Sequence, residues 1–382
     1  MSKLRHFIVD TDTGADDVWA IVESLRATNI TKVEAITVLC GNLPLDLCVK
    51  NAMIAAEKAG TYIPPIYRGM GRPLMKEMNI FAANVHGEDG LGNMNLPMPT
   101  YPIQEKHAID AIIDLAEEFA GELEIVTCGP LTNLAMAYLK ESRLAQWVKK
   151  VWILGGSANG KGNMTEFAEY NVYVDPEAAS IVLGSGMNMT WVPWDAFQAG
   201  GEITPEEAVM MEQSGHPTAE FCIRCVKVLR EYHKKAYGTD SFGVIDSAVM
   251  TAALYPEIIS EEFEAVCSVD VSQGERRGNF VAERTGLLEN CEAEIWEKAD
   301  TPEKPDMQDE SDTLEKPDVQ QNTGIRKNAD IKQNTGIKQN AASLIPNCTV
   351  VSKLNMELYK KYLFELLGVE NMWMNMCEGV GQ

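Results

Sequence analysis

The chain has 382 residues, is 45% hydrophobic and 23% charged, and carries a formal charge of -23. That apolar content excludes disorder throughout, and the length suffices for a large core. The acidity excludes a surface built for nucleic acid or for an anionic membrane, since both need clustered Lys and Arg.

No apolar run reaches the roughly 20 residues of a membrane span. An acidic cluster begins at Asp10, which leaves no room for the apolar region of a signal peptide. Nine cysteines, scattered and odd in number, suit reduced thiols and predict a cytoplasmic protein. The single CxxC, Cys222 and Cys225, lies in a helical pattern without a second ligand pair, which argues against zinc.

Residues 6–10 (His-Phe-Ile-Val-Asp) read as a strand. Val18, Ile21, Val22 and Leu25 then recur at helical spacing. Residues 33–39 are a second strand, followed by a helix ending near Gly60. Residues 124–128 form a strand entering Gly129-Pro-Leu-Thr-Asn133 and another helix. Strands come next at 151–154 and 188–192. Strand, turn and helix repeated in this way predict an α/β fold. It would be Rossmann-like, a mostly parallel open sheet with helices on both faces and its site beyond the C-terminal strand ends. Residues 297–344 hold no aromatic residue and repeat Glu-Lys-Pro-Asp and Gln-Asn-Thr-Gly-Ile. They read as a flexible low-complexity insertion interrupting one domain of residues 1–382. With 10 acidic and 7 basic residues it contributes only -3 of the charge. A strand at 347–351 and an amphipathic helix from Met356 to Leu367 resume the fold.

The sharpest feature is Asp10-Thr-Asp12-Thr-Gly14-Ala-Asp16-Asp17 at a strand–helix junction. A helix cap explains Asp16 or Asp17 but not four carboxylates. Crowded carboxylates repel one another unless a cation sits among them, and Ca²⁺ takes six to eight oxygens. An EF-hand counted from Asp10 fails at Ala15 and Ile21. A phosphatase signature of the form Asp-x-Asp-x-Thr fails at Gly14 and leaves Asp16 and Asp17 unexplained.

The string resembles the opening of the nucleoside hydrolase family, inosine–uridine-preferring type, which reads Asp-x-Asp-x-Gly-x-Asp-Asp. Cys40-Gly41-Asn42, His86-Gly-Glu-Asp-Gly-Leu-Gly92 and Gly129-Pro-Leu-Thr-Asn133 resemble the family in the same order. So does the stretch from Asn163 to Asn171 leading into Asp175-Pro-Glu-Ala, and Ile245-Asp246 matches in part. The resemblance covers everything but the insertion.

It implies Ca²⁺-dependent hydrolysis of ribonucleosides to ribose and free base, in purine or pyrimidine salvage. The cation would be held by the carboxylates of Asp12, Asp17 and Asp246 and by the carbonyl of Cys128. Asp12 would be the general base toward the attacking water, with Asp10 supporting from behind. Asp16, Asn42 and Asn171 would meet the ribose hydroxyls, and Asn163 and Glu169 its 5′ side. His86, Leu154 and Trp194 would line the base pocket. The family's usual His before the late Asp is Ile245 here, so the leaving-group acid must lie elsewhere. Tyr237 and His233 are candidates, each equally readable as a solvated helix face, and Trp194 is a stacking surface or a pocket wall. Two alternatives stand beside this reading: a catalytically weak or inactive nucleoside-binding homologue, or a Mg²⁺ phosphohydrolase using Asp10 as nucleophile. The resemblance also implies a homodimer or homotetramer. Base preference stays open.

Overall fold

The computed structural model describes residues 3–75, 80–197, 200–285 and 345–379. The chain divides into one compact unit, residues 1–284 with 345–382, and a second unit, residues 285–344. The expected insertion at 297–344 lies outside the described residues.

The strands of the first unit are β1 (Arg5–Thr11), β2 (Thr31–Val38), β3 (Ile66–Arg68), β4 (Leu123–Thr127) and β5 (Lys150–Leu154). They continue with β6 (Met189–Val192), β7 (Ile259–Val269), β8 (Phe280–Arg284) and β9 (Cys348–Leu354). They form one sheet in the order β3-β2-β1-β4-β5-β6-β9-β7-β8. Pairing is parallel from β3 through β9 and antiparallel where β7 meets β9 and β8. The mostly parallel open sheet matches expectation. The antiparallel edge and the three-residue β3 were not foreseen. β7 escapes notice because six of its eleven residues are charged, polar or small, and it reads as surface.

The core lies on both faces of the sheet. Phe7 and Val9 belong to one buried cluster and Ile8 to the other, as the two-residue period of a strand requires. The first face is covered by the helices Asp17–Arg26, Leu45–Lys58, Ile245–Leu254 and Met356–Leu367. The second is covered by Ala108–Glu118, Thr132–Lys140 and Pro176–Leu183. β1 lies between β2 and β4, where the strand order reverses. The loop after β1 therefore opens at the switch point that accommodates ligands in such sheets. Cys222 and Cys225 are buried on the helix Pro217–Cys225, and the Cys225 thiol donates to the carbonyls of Ala15 and Cys222. They are packing residues.

Candidate active site

The acidic string begins inside β1 and ends in the first turn of the helix Asp17–Arg26. That helix packs along Ile245–Leu254, whose first turn carries Asp246. Two helix N-termini thus bring Asp17 and Asp246 together, and their dipoles favour negative charge there. Oxygens of Asp16, Asp17 and Asp246 lie within 4.8 Å of one another. Asp17 is held firmly: Thr11 Oγ1 donates to it at 2.6 Å, the Gly14 N–H at 2.8 Å and Asn42 Nδ2 at 3.1 Å.

Asp12 lies beside Asp17, fully buried, and accepts the Asn42 N–H at 2.7 Å. Gly41 and Gly129 press against it. A Cβ at Gly41 would fall 2.0 Å from one Asp12 oxygen, and one at Gly129 would fall 2.6 Å from the other. Both motifs that carry these glycines owe them to this close approach. Asp10 faces the opposite side of the sheet, where Thr37 Oγ1 and Asn133 Nδ2 donate to it at 2.6 and 2.8 Å. It does not line the cavity.

On the cavity side of the sheet, Asp12, Asp16 and Asp246 each bury one carboxylate oxygen without a hydrogen-bond partner; Asp10 on the other side does so too. Burial pushes Asp10 up to about 6 and Asp17 up to about 7, the latter helped by the Asp16 charge. Asp12 and Asp246 are raised well above the usual carboxylate range, by burial first and by neighbouring carboxylates second. Unpaired buried acids of one sign are costly, and a cation among them relieves the cost. The donor set therefore fits a metal ion, and every candidate donor is a hard oxygen.

Above this floor is a cavity of about 590 Å³. Its wall includes Asp16, Asn42, His86, Cys128, Leu154, Asn163, Glu169, Asn171, Trp194, His233, Tyr237 and Asp246, all singled out from sequence. Asp12 and Asp17, like Asp10, lie behind the wall. Neither Lys nor Arg lines the cavity among the described residues. Asn171 Nδ2 donates to the Cys128 carbonyl at 2.8 Å. Glu169 caps the helix Tyr170–Val174, accepting from the N–H groups of Gly156, Asn171 and Val172, and burial pushes it up to about 7. Asn163 Oδ1 accepts the Tyr170 N–H at 2.9 Å, which leaves its amide N–H groups for a ligand. His86 Nδ1 accepts the Ala15 N–H at 3.2 Å and lies 3.6 Å from Asp16. Burial lowers its pKa, so it is a neutral imidazole.

The opposite side of the cavity is aromatic. His233 and Tyr237 lie one turn apart on the helix Lys227–Tyr237, ring centroids 5.2 Å apart. Burial holds His233 below its ordinary range. The Trp194 indole N–H donates to the Lys161 carbonyl at 2.9 Å, so only its ring face is free to meet a base. Ile245 lines the wall and offers no proton. Phe81, Tyr170, Phe197, Glu202 and Tyr232 also line it and were missed. Tyr170 stands between Glu169 and Asn171 and was within reach of the motif. Tyr232 precedes His233 in a segment already singled out, while Phe81, Phe197 and Glu202 sit in stretches with no distinguishing pattern.

An acidic floor, an amide-bearing rim and an aromatic wall thus surround one cavity. The sequence pattern of the family described as inosine-uridine preferring nucleoside hydrolase matches residues 7–310. The chain is 34% identical over 274 residues to a probable uridine nucleosidase 2 of Oryza sativa subsp. japonica, covering 68% of this chain and 79% of that protein. It is 31% identical over 284 residues to the pyrimidine-specific ribonucleoside hydrolase RihB of Escherichia coli (strain SE11), covering 74% and 89%. Among solved structures, the plant nucleoside hydrolase PpNRh1 superposes with a TM-score of 0.76 at 26% identity, covering 96% of this chain and 99% of that one. A purine-preferring ribonucleoside hydrolase from Gardnerella vaginalis, at 20% identity and TM-score 0.75 over 96% of this chain and 100% of that one, shares the fold. The chain belongs to the inosine-uridine preferring nucleoside hydrolase family, and is an enzyme of the class that hydrolyses N-glycosyl bonds. No helix among the described residues is long and apolar enough to cross a membrane.

Proposed function

We propose that the chain is a Ca²⁺-dependent ribonucleoside N-ribohydrolase that releases ribose and free base. The observation that carries this reading is the convergence of Asp16, Asp17 and Asp246, with unpaired oxygens on Asp16 and Asp246, at a cavity that no Lys or Arg among the described residues lines. Asp12, Asp17 and Asp246 would hold the cation by carboxylate and Cys128 by its carbonyl. Such all-oxygen donors suit Ca²⁺ better than zinc or copper. A bound cation supplies Lewis-acid activation of water.

Asp12 takes the proton of the attacking water. Its unpartnered oxygen is available to accept that proton. Asp16, Asn42 and Asn171 orient the ribose hydroxyls, and Asn163 and Glu169 meet the 5′ side. Cleavage develops positive charge on the sugar ring, as in other glycoside hydrolysis, and the surrounding carboxylates stabilise it. His86, Leu154 and Trp194 shape the base pocket. Tyr237 or His233 protonates the departing base, since Ile245 offers nothing. The names of the related proteins make uridine the first substrate to try. The reading extends to a homodimer or homotetramer in the cytoplasm, serving nucleobase salvage.

The test is release of reducing sugar from uridine, cytidine and inosine with calcium present. No turnover of any ribonucleoside sinks the reading. Ile245 favours a second reading, a nucleoside binder with little catalysis. It predicts calcium-dependent heat on titrating uridine without product.

A further inference from the structure

Two consecutive residues beyond β6 are tied to the loop that comes after β5. The Trp194 N–H donates to the Gly156 carbonyl at 3.1 Å, and its indole N–H to the Lys161 carbonyl. The Asp195 carboxylate uses both oxygens on the same loop: Oδ1 accepts the Ala158 N–H at 2.9 Å and Oδ2 the Asn159 N–H at 3.0 Å. Residues 158–161 are exposed and lie outside the sheet, and the loop's own bonds, among them those from the Lys161 N–H to Ser157 Oγ and Asn159 Oδ1, do not tie it to the rest of the fold. An exposed loop of this kind gains many conformations when its anchors are cut. Two residues after Lys161 the chain reaches Asn163, at the cavity wall. Asp195 itself does not line the cavity.

We infer that Asp195 is a positioning residue: its carboxylate latches the 157–163 loop so that Asn163 meets the 5′ side of the ribose. The inference rests on the proposed ribose orientation. A carboxylate suits the task because two adjacent backbone N–H groups need two acceptors, and charge-assisted bonds are the strong ones. Asparagine of the same shape supplies one acceptor and sets its NH₂ against the second N–H. Alanine supplies neither.

The experiment compares wild type, Asp195→Asn and Asp195→Ala on uridine and on 5′-deoxyuridine, with calcium present. For uridine, KM rises about tenfold in Asp195→Ala and by less in Asp195→Asn, with kcat within about threefold, from loss of one or two charge-assisted bonds. For 5′-deoxyuridine, which lacks the group Asn163 would meet, KM changes less than about twofold. Equal changes on both substrates, or none on either, overturn the inference. Hydrogen exchange at Ala158 and Asn159 gives a reading that needs no turnover. Their amides are protected in wild type and exchange at least about tenfold faster in both variants. Unchanged exchange also overturns the latch. A wild type that hydrolyses nothing sinks the hydrolase reading, and the exchange rates still decide whether Asp195 holds the loop. Thermal melts confirm that each variant is folded, and the isosteric Asn variant serves if Ala is not.

Discussion

Glu23 makes a sharp test of how the site is held together. It is fully buried on the helix Asp17–Arg26, facing Ile245–Leu254. Thr251 Oγ1 donates to one carboxyl oxygen at 2.7 Å, and the other has no partner. Burial raises its pKa from 4.5 to about 8, only partly offset by the neighbouring Ser247 and Thr251 hydroxyls. The folded state therefore keeps a proton that the unfolded chain loses. Between about pH 4.5 and 8 the folded state binds more protons at this group, so stability falls as pH rises. Below the unfolded pKa the penalty is absent, and above the folded one it is complete. Each unit is worth about 1.36 kcal/mol, so the shift sets an upper bound of roughly 5 kcal/mol at pH 9.

Glu23→Gln keeps an oxygen for Thr251 and removes the titration. Urea unfolding of wild type and variant at pH 5, 7 and 9, followed by circular dichroism, reads the difference. Other buried acids tilt both proteins alike and cancel in the comparison. The variant is expected to match wild type within about 1 kcal/mol at pH 5 and to exceed it by several kcal/mol at pH 9. A gap that does not grow with pH refutes the reasoning. Because this helix pair carries Asp17 and Asp246, the same substitution is expected to extend calcium binding to higher pH.

Asp246→Asn and Asp12→Asn each remove a carboxylate from the floor. Calorimetry is expected to show weaker calcium binding for both, and uridine turnover falls at least about 10³-fold in Asp12→Asn, a larger loss than for a proton-transfer group alone because cation and base fail together. Chelation of wild type is expected to lower the melting temperature and calcium to restore it, by about 2.7 kcal/mol at a hundred times Kd. A melting curve indifferent to both removes the cation. Tyr237→Phe and His233→Ala are expected to slow uridine about 10²-fold if either is the leaving-group acid. p-Nitrophenyl riboside needs no acid and is expected to be spared, so equal losses on both substrates point to a structural defect. Deleting residues 297–344 is expected to leave kcat/KM on uridine unchanged, and a loss above tenfold would give that segment a task.

Much of this protein was legible in one dimension. The strands β1, β2, β4, β5 and β6 announce themselves because both sheet faces are covered, so each reads as a continuous apolar run between turns. The acidic string, the glycines at 41 and 129, and the late Asp246 could be matched to a family because chemistry confines them to loops at strand ends. Composition and motif order therefore determined the fold class and the family, and singled out residues that the fold gathers around one cavity. What only the tertiary structure decided is how distant segments meet. The pairing of two helix N-termini sets Asp17 against Asp246 across more than 200 residues of chain. Glu23 is buried only because Ile245–Leu254 packs against it, a contact that its own helix does not announce. Asp195 carried no local signal, because its partners are the backbone N–H groups of another loop, and a backbone donor leaves no mark in a sequence. The aromatic wall likewise draws on Phe81, Phe197 and Tyr232, three separate segments that only the folded chain brings around one cavity.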